Sequence, residues 1–131
     1  MTAVAPAEAY RPHFEAELLW VVDDAGEVVA FLAARIAGDR LHIDELDVRQ
    51  DRQGHGLGRD LLAHAKAAAR ARGQARLSLT TFRNIPWNAP YYARFGFREW
   101  PADEAEPDVR AALASETSRG LKDRCAMVMD L

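Results

Sequence analysis

The residues with the plainest chemical meaning are three glycines at alternate positions, Gly54, Gly56 and Gly58, in the stretch "RQGHGLGRDLL". An apolar run, "LHIDELDV", precedes them and an alanine-rich run follows. A strand, a glycine loop and a helix N-terminus together make an anion site. Amide hydrogens left free in the first helical turn converge there, and the helix dipole adds partial positive charge. Glycine costs backbone entropy in either flanking element, so three at one junction imply a chain that passes close to a ligand. A phosphate fits such a site, and spacing narrows which one. The P-loop pattern GxxxxGK[ST] is absent, and the dinucleotide pattern GxGxxG fails because Arg59 stands where its third glycine belongs. The plain alternative, a turn with no ligand, accounts for one or two glycines more easily than for three.

The elements that must hold this loop are legible on both sides. Two apolar runs separated by Asp-Asp-Ala-Gly predict antiparallel strands over 17–23 and 27–37, with Gly26 supplying the positive φ of the turn. A second turn at 37–40 leads to "LHIDELDV", completing a three-strand meander. Leu41 and Ile43 alternate on one face, whereas Leu46 and Val48 fall on the opposite parity. One extra residue near 44–45, a β-bulge, repairs the register; the alternative is that one pair packs beneath a helix on the other face. Leu57, Leu61, Ala65, Ala68 and Ala69 recur at helical spacing, which predicts a helix over 56–72 capped by Gly73. Beyond it come a strand over 75–82, a short helix over 88–94, the short strand "FREW", a surface helix from Pro107 to Gly120, and a last strand "CAMVMDL".

These motifs resemble those of the GNAT superfamily of N-acetyltransferases. Gln53-Gly54-His55-Gly56-Leu57-Gly58 fits the acyl-CoA pattern Q/R-x-x-G-x-G/A, and "YYARFGF", Tyr91 to Phe97, fits the second signature, an aromatic-Tyr followed by three residues and Gly-Phe. The resemblance runs firmly over Leu18 to Trp100 and more loosely to the end. It implies an α/β fold with a mixed, mostly antiparallel central sheet, a V-shaped splay in that sheet, and flanking helices. It also implies acetyl-CoA as co-substrate, its pyrophosphate on the amides of Gly54 to Arg59 and its pantetheine arm along Leu46, Asp47 and Val48. The chain is then one acyl-CoA N-acyltransferase domain over 1–131, with 1–16 a loose lead-in.

Acetyl transfer to an amine needs a neutral nucleophile, donors for the developing oxyanion and a proton for the departing thiolate. The resemblance gives the proton to Tyr92, four residues before Gly96. Tyr91 is its rival and the ring expected to pack inward; alternatively both serve only the core. Glu45 leads as base, working through a water, because the bulge can aim it into the cleft. Asp44 and Asp47 are alternatives, and all three could be solvated strand carboxylates. The oxyanion donor falls to the amide of Val48 or a neighbour. The asparagine expected to contact pantetheine is Asn88 or Asn84, neither at the family's usual interval from the tyrosine. Trp87 either walls the acceptor pocket or covers the core. His55 could bond a CoA phosphate. The family's usual strand and helices before the hairpin have no counterpart in the residues ahead of Glu17, so the acceptor cleft is expected to be open or closed by another subunit, and a bare sheet edge favours a homodimer.

Composition bounds the rest. The chain has 131 residues, 49% hydrophobic and 28% charged, with a net charge of −3. That is one ordinary globular domain with no basic face for nucleic acid, which disfavours an acceptor such as charged tRNA. No apolar run reaches membrane-helix length and no secretory signal opens the chain, so no membrane partner and a cytoplasmic location are expected. His13, His42, His55 and His64 show no ligand spacing and predict no metal; Cys125 reads as a small core residue. An N-acetyltransferase acting on a primary amine of a small molecule, peptide or protein is the leading reading, and a non-catalytic acyl-CoA-binding module the alternative.

Overall fold

The computed structural model describes residues 8–131. Six strands form one mixed, mostly antiparallel sheet in the order β1-β2-β3-β4-β6-β5, flanked by helices. By its internal contacts the described chain divides into two compact units, residues 8–77 with 131, and residues 78–130.

The first unit is built on the predicted meander. Strands β1 (Leu19–Asp24), β2 (Glu27–Ala37) and β3 (Arg40–Val48) pair in antiparallel fashion. Asp24 and Glu27 close a two-residue turn whose central residues, Ala25 and Gly26, both have positive φ, the turn whose twist suits a hairpin. Helix α2 (Leu57–Ala71) buries Leu61, Leu62, Ala65 and Ala69 and packs on β1, β2 and β3. This is the stripe read from the sequence, with Leu62 added and Ala68 only half-buried. Leu18, Leu32, Ala33, Leu41 and Leu77 complete a core of branched and small side chains.

The expected bulge is present. Glu45 pairs with Ala33 and Ile43 with Ala34, so Asp44 is the residue without a partner on β2. The result puts Leu41, Ile43, Leu46 and Val48 on one parity and leaves Asp44 alone outside the regular ladder, with Glu45 the first paired residue after it.

The stretch read as a loose lead-in is not loose where it is described. Glu8–Tyr10 forms a 3-10 turn and Arg11–Glu15 a short helix, α1. Pro12 in the first turn tolerates helical φ without needing an amide partner, and Ala16 and Leu18 donate their amides back to Pro12 and His13. Five helical residues carry too little periodicity to be read in advance. Residues 1–7 of that reading lie outside the described residues.

The second unit holds most of β4 (Arg76–Phe82), α3 (Ala89–Phe95), β5 (Arg98–Trp100), α4 (Pro107–Ser118) and β6 (Arg124–Asp130). Trp100, Ala105, Val109, Ala126 and Val128 form its core cluster, with Leu113 packed against them. Beneath α4, Glu116 accepts hydrogen bonds from Arg124 Nε at 2.8 Å and Thr80 Oγ1 at 3.0 Å, while the Arg124 guanidinium lies 4.5 Å from the centre of the Phe82 ring. Cys125 is buried in β6, as expected of a small core residue.

Candidate active site

In the first unit, the chain leaves β3 at Val48, makes a 3-10 turn over Gln50–Arg52 and enters α2 through the glycines. Gln53 Nε2 donates to the Val48 carbonyl at 3.1 Å, which ties the loop to the end of the strand. Arg49 binds Asp51 through Nε and Nη2 at 2.6 and 2.9 Å and Glu27 through Nη1 at 2.9 Å, and Arg52 pairs with Asp24. The Arg49 guanidinium holds the exposed Asp51 carboxyl below its ordinary range. Both arginines thus face carboxylates, so an anion held at the loop would rest on main-chain amides.

The loop geometry suits that role. Gly54 and Gly56 have φ of +84° and +80°, and a Cβ added at either would meet no atom within 4 Å. The left-handed φ is what favours glycine, and the open space above the backbone is a cradle that side chains would fill. Gly56 is the N-cap of α2 and offers no side-chain cap. The first helical bond runs from the Asp60 amide to the Gly56 carbonyl at 3.0 Å, leaving the amides of Leu57, Gly58 and Arg59 without partners inside the helix. These residues fit the diphosphate of a CoA thioester: small, unobstructed, and rich in free donors at the positive end of a dipole. His55 is exposed in the same loop.

Upstream, Leu46 and Val48 are half-buried and Asp47 is exposed. Among the possible oxyanion donors near Val48, the Arg49 amide is already taken by the Val29 carbonyl at 2.8 Å. Glu45 is half-buried just after the bulge. Burial pushes its carboxyl above the ordinary range, the Tyr10 hydroxyl donating to it pulls it back, and the neighbouring Asp47 and Asp44 carboxylates push it up again. Asp44 is engaged otherwise, accepting from Arg35 Nε at 3.0 Å and bonded to His13 Nε2 at 2.9 Å. The upward direction for Glu45 is the one that suits a general base.

In the second unit, Tyr92 sits on α3, buried at 9% exposure, with its ring edge-on to Tyr91 at 5.5 Å and to Phe97 at 5.8 Å. The expectation that Tyr91 is the inward ring is thus reversed: Tyr91 is only half-buried and lies under the Arg94 guanidinium at 5.9 Å. Gly96 has φ +126°, and a Cβ there would come within 3.2 Å of Met129 Cε. Asn88 caps α3 through its carbonyl, which accepts from the Tyr92 amide at 3.0 Å, while its side chain turns back to the Trp87 carbonyl. Asn84 is exposed. Trp87 is 71% exposed, so it does not cover the core.

Two residues that the sequence did not single out, Tyr10 and His13 in their site role, stand beside the bulge. No local signal marks them, because the contact from Tyr10 to Glu45 spans 35 positions. Among the described residues, no cluster of His, Cys, Asp and Glu could hold a metal ion, and no helix is long and apolar enough to cross a membrane.

A mixed, mostly antiparallel sheet flanked by helices, with a bulged strand leading into an amide-lined glycine loop, is the fold of an acetyltransferase. Residues 3–97 match the acetyltransferase (GNAT) family, and the chain belongs to it. The match reaches well ahead of Leu18, into the helical turns before β1.

Solved structures agree on the fold. N-acetylglutamate synthase from Neisseria gonorrhoeae, complexed with coenzyme A and N-acetyl-glutamate, is 22% identical with a TM-score of 0.78. The alignment covers 98% of this chain and 28% of that one, so this chain spans little more than a quarter of that protein. A Mycobacterium tuberculosis protein in complex with CoA is 21% identical with a TM-score of 0.70, covering 90% of this chain and 79% of that one. The ribosomal-protein-S18-alanine N-acetyltransferase of Escherichia coli is 24% identical with a TM-score of 0.62, covering 86% and 68%.

Proposed function

We propose that this chain is an acetyl-CoA-dependent N-acetyltransferase that acetylates a primary amine of a small molecule, peptide or protein, with residues 1–131 working as one acyltransferase domain. The observation that carries the proposal is the loop from Gln53 to Arg59: two left-handed glycines with open space above them lead into a helix whose first amides are free. The family match and the CoA-bound relatives support the same reading.

The co-substrate supplies an acetyl group already activated as a thioester. The chain's own residues do the rest. Amides of Gly54 to Arg59 hold the diphosphate, and main-chain groups of Leu46, Asp47 and Val48 align the pantetheine arm. An aliphatic amine is mostly protonated at neutral pH, with a pKa of about 10. Glu45, acting through a water, removes that proton so that the nitrogen lone pair can attack the thioester carbon. A strand amide such as that of Val48 stabilises the oxyanion; as the C–S bond breaks, the Tyr92 hydroxyl gives its proton to the departing thiolate, and the second proton shed by the acylated nitrogen restores the tyrosine. Asn88 contacts the pantetheine. Each proton-transfer group contributes about 10²–10⁴-fold on general grounds. The protein is proposed to work in the cytoplasm as a homodimer, without metal, nucleic acid or membrane.

The test is a screen of amines for CoA release, with mass detection of the acetylated product and light scattering for the assembly. Amine-dependent CoA release is the expected result. Tight acetyl-CoA binding with no transfer to any amine, small or peptidic, would refute catalysis and leave an acyl-CoA-binding module.

A further inference from the structure

We infer that Tyr10 is a positioning residue for the proposed base: its hydroxyl, carried by the helical segment ahead of β1, holds the Glu45 carboxylate for proton abstraction. The inference rests on the proposed role of Glu45 and goes beyond it by assigning a task to the N-terminal turn.

Glu45 follows the bulge and lies opposite Ala33 on β2, whose methyl group offers a carboxylate no polar partner. A hydrogen bond from outside the sheet reaches it instead. Tyr10 Oη donates to Glu45 Oε2 at 3.1 Å in a partly buried setting. The tyrosine ring is itself held, edge-on to Phe31 at 5.0 Å and tilted on His13 at 5.9 Å. Phe31 pairs with Asp47 across the β2–β3 ladder, so the ring's support lies on the strand pair that carries Glu45.

The same segment grips the bulge a second time. His13, one turn on from Tyr10, bonds Asp44 Oδ2 at 2.9 Å, while Arg35 from β2 binds the other Asp44 oxygen. The far end of the segment is tied to α2, where Arg72 Nη2 donates to the Ala16 carbonyl at 3.0 Å. Two adjacent bulge residues, Asp44 and Glu45, are thus each held by one short helical stretch anchored at both ends. Locked rotamers supported from behind are what a catalytic group needs, because small misplacements cost large factors in rate.

The groups that set the charge of Glu45 can be named from every side. Asp44 and Asp47 flank it on β3, Tyr10 reaches it from the N-terminal turn, and His13 from α1 and Arg35 from β2 act on it through Asp44. The base works ionised, so activity falls as pH drops through its raised pKa. The Tyr10 hydroxyl stabilises the ionised form, so removing it moves that acid limb to higher pH.

Tyr10→Phe keeps the ring and deletes the donor. With an amine found active, the variant should lose about 10-fold or more in kcat and shift the acid limb of kcat/KM upward, with KM for acetyl-CoA and Tm little changed. A carbon-13 titration of the Glu45 carboxyl in the full chain should show the same upward shift without any substrate. Glu45→Gln separates the two claims. If it abolishes turnover while Tyr10→Phe keeps the wild-type rate, acid limb and carboxyl titration, Tyr10 is no positioning residue and the base stands. If Glu45→Gln keeps full turnover, Glu45 is not the base and the task given to Tyr10 falls with it.

Discussion

Replacing Gly56 by valine tests the loop most directly, because the structure separates its two consequences. Gly56 has φ +80°, and an added Cβ meets nothing within 4 Å, so the cost to the free protein is backbone strain alone. Holding an L-residue in the left-handed region costs about 1–2 kcal/mol, toward the upper end for a β-branched side chain. For a chain of this size about 2 kcal/mol lowers Tm by roughly 5–10 °C. Acetyl-CoA at about 100 times its Kd stabilises the wild type by roughly 2.7 kcal/mol, enough to raise Tm by a similar amount. In Gly56→Val that rise should vanish, since the new side chain occupies the open space where the diphosphate approaches the amides. Gly38→Val is the matched control: φ is +63°, the space is equally open, and the position is the β2–β3 turn, at the end of β3 opposite the loop. It should show the same basal loss and keep the ligand-induced rise. The assay is thermal unfolding with and without millimolar acetyl-CoA. An undiminished rise in Gly56→Val, equal to that of Gly38→Val, would refute the assignment of the loop to the diphosphate.

Tyr92→Phe should lower turnover by about 10²-fold with CoA affinity little changed, and Tyr91→Phe should stay near wild type; full turnover in Tyr92→Phe under chemistry-limited conditions means that water or the amine supplies the proton. Glu45→Gln should raise Tm at neutral pH while removing activity. A carboxyl whose folded pKa lies above its unfolded value stabilises the fold below the unfolded pKa and loses that contribution as pH rises through the folded pKa, so the neutral amide is relieved of a burden that the wild type bears at pH 7. An unchanged or lower Tm contradicts the raised pKa. Glu116→Ala should cost about 3 kcal/mol in urea unfolding, because it strands the mostly buried Arg124 guanidinium, whose side chain is 16% exposed; a loss well under 1 kcal/mol would show that solvent replaces the pair.

The strands and long helices were legible because each carries its own punctuation: Gly26 at the hairpin, the alternating glycines before α2, Pro107 at the start of α4. Even the bulge could be read, since Leu41 and Ile43 conflict in parity with Leu46 and Val48. The loop and Glu45 followed from motif and parity. What escaped was non-local. Nothing near Tyr10 announces a partner on β3, and α1 is too short for a period to show. On α3, adjacent tyrosines point about 100° apart, and which one faces inward depends on where Phe97 lies, a matter of packing beyond the helix itself.

The bulge has a consequence for how this chain could vary. With Asp44 deleted, β3 would read Leu41-His42-Ile43-Glu45-Leu46-Asp47-Val48, a flawless alternation with every apolar residue on the parity it already occupies. The strand is thus one residue longer than its pairing with β2 requires, and a single-codon loss would regularise that ladder at the cost of the bonds Asp44 makes to His13 and Arg35. A library of single deletions, sorted once for soluble fold and once for acetyl transfer, should part company at position 44, where the sheet gains regularity and the grip of His13 and Arg35 beside Glu45 is lost.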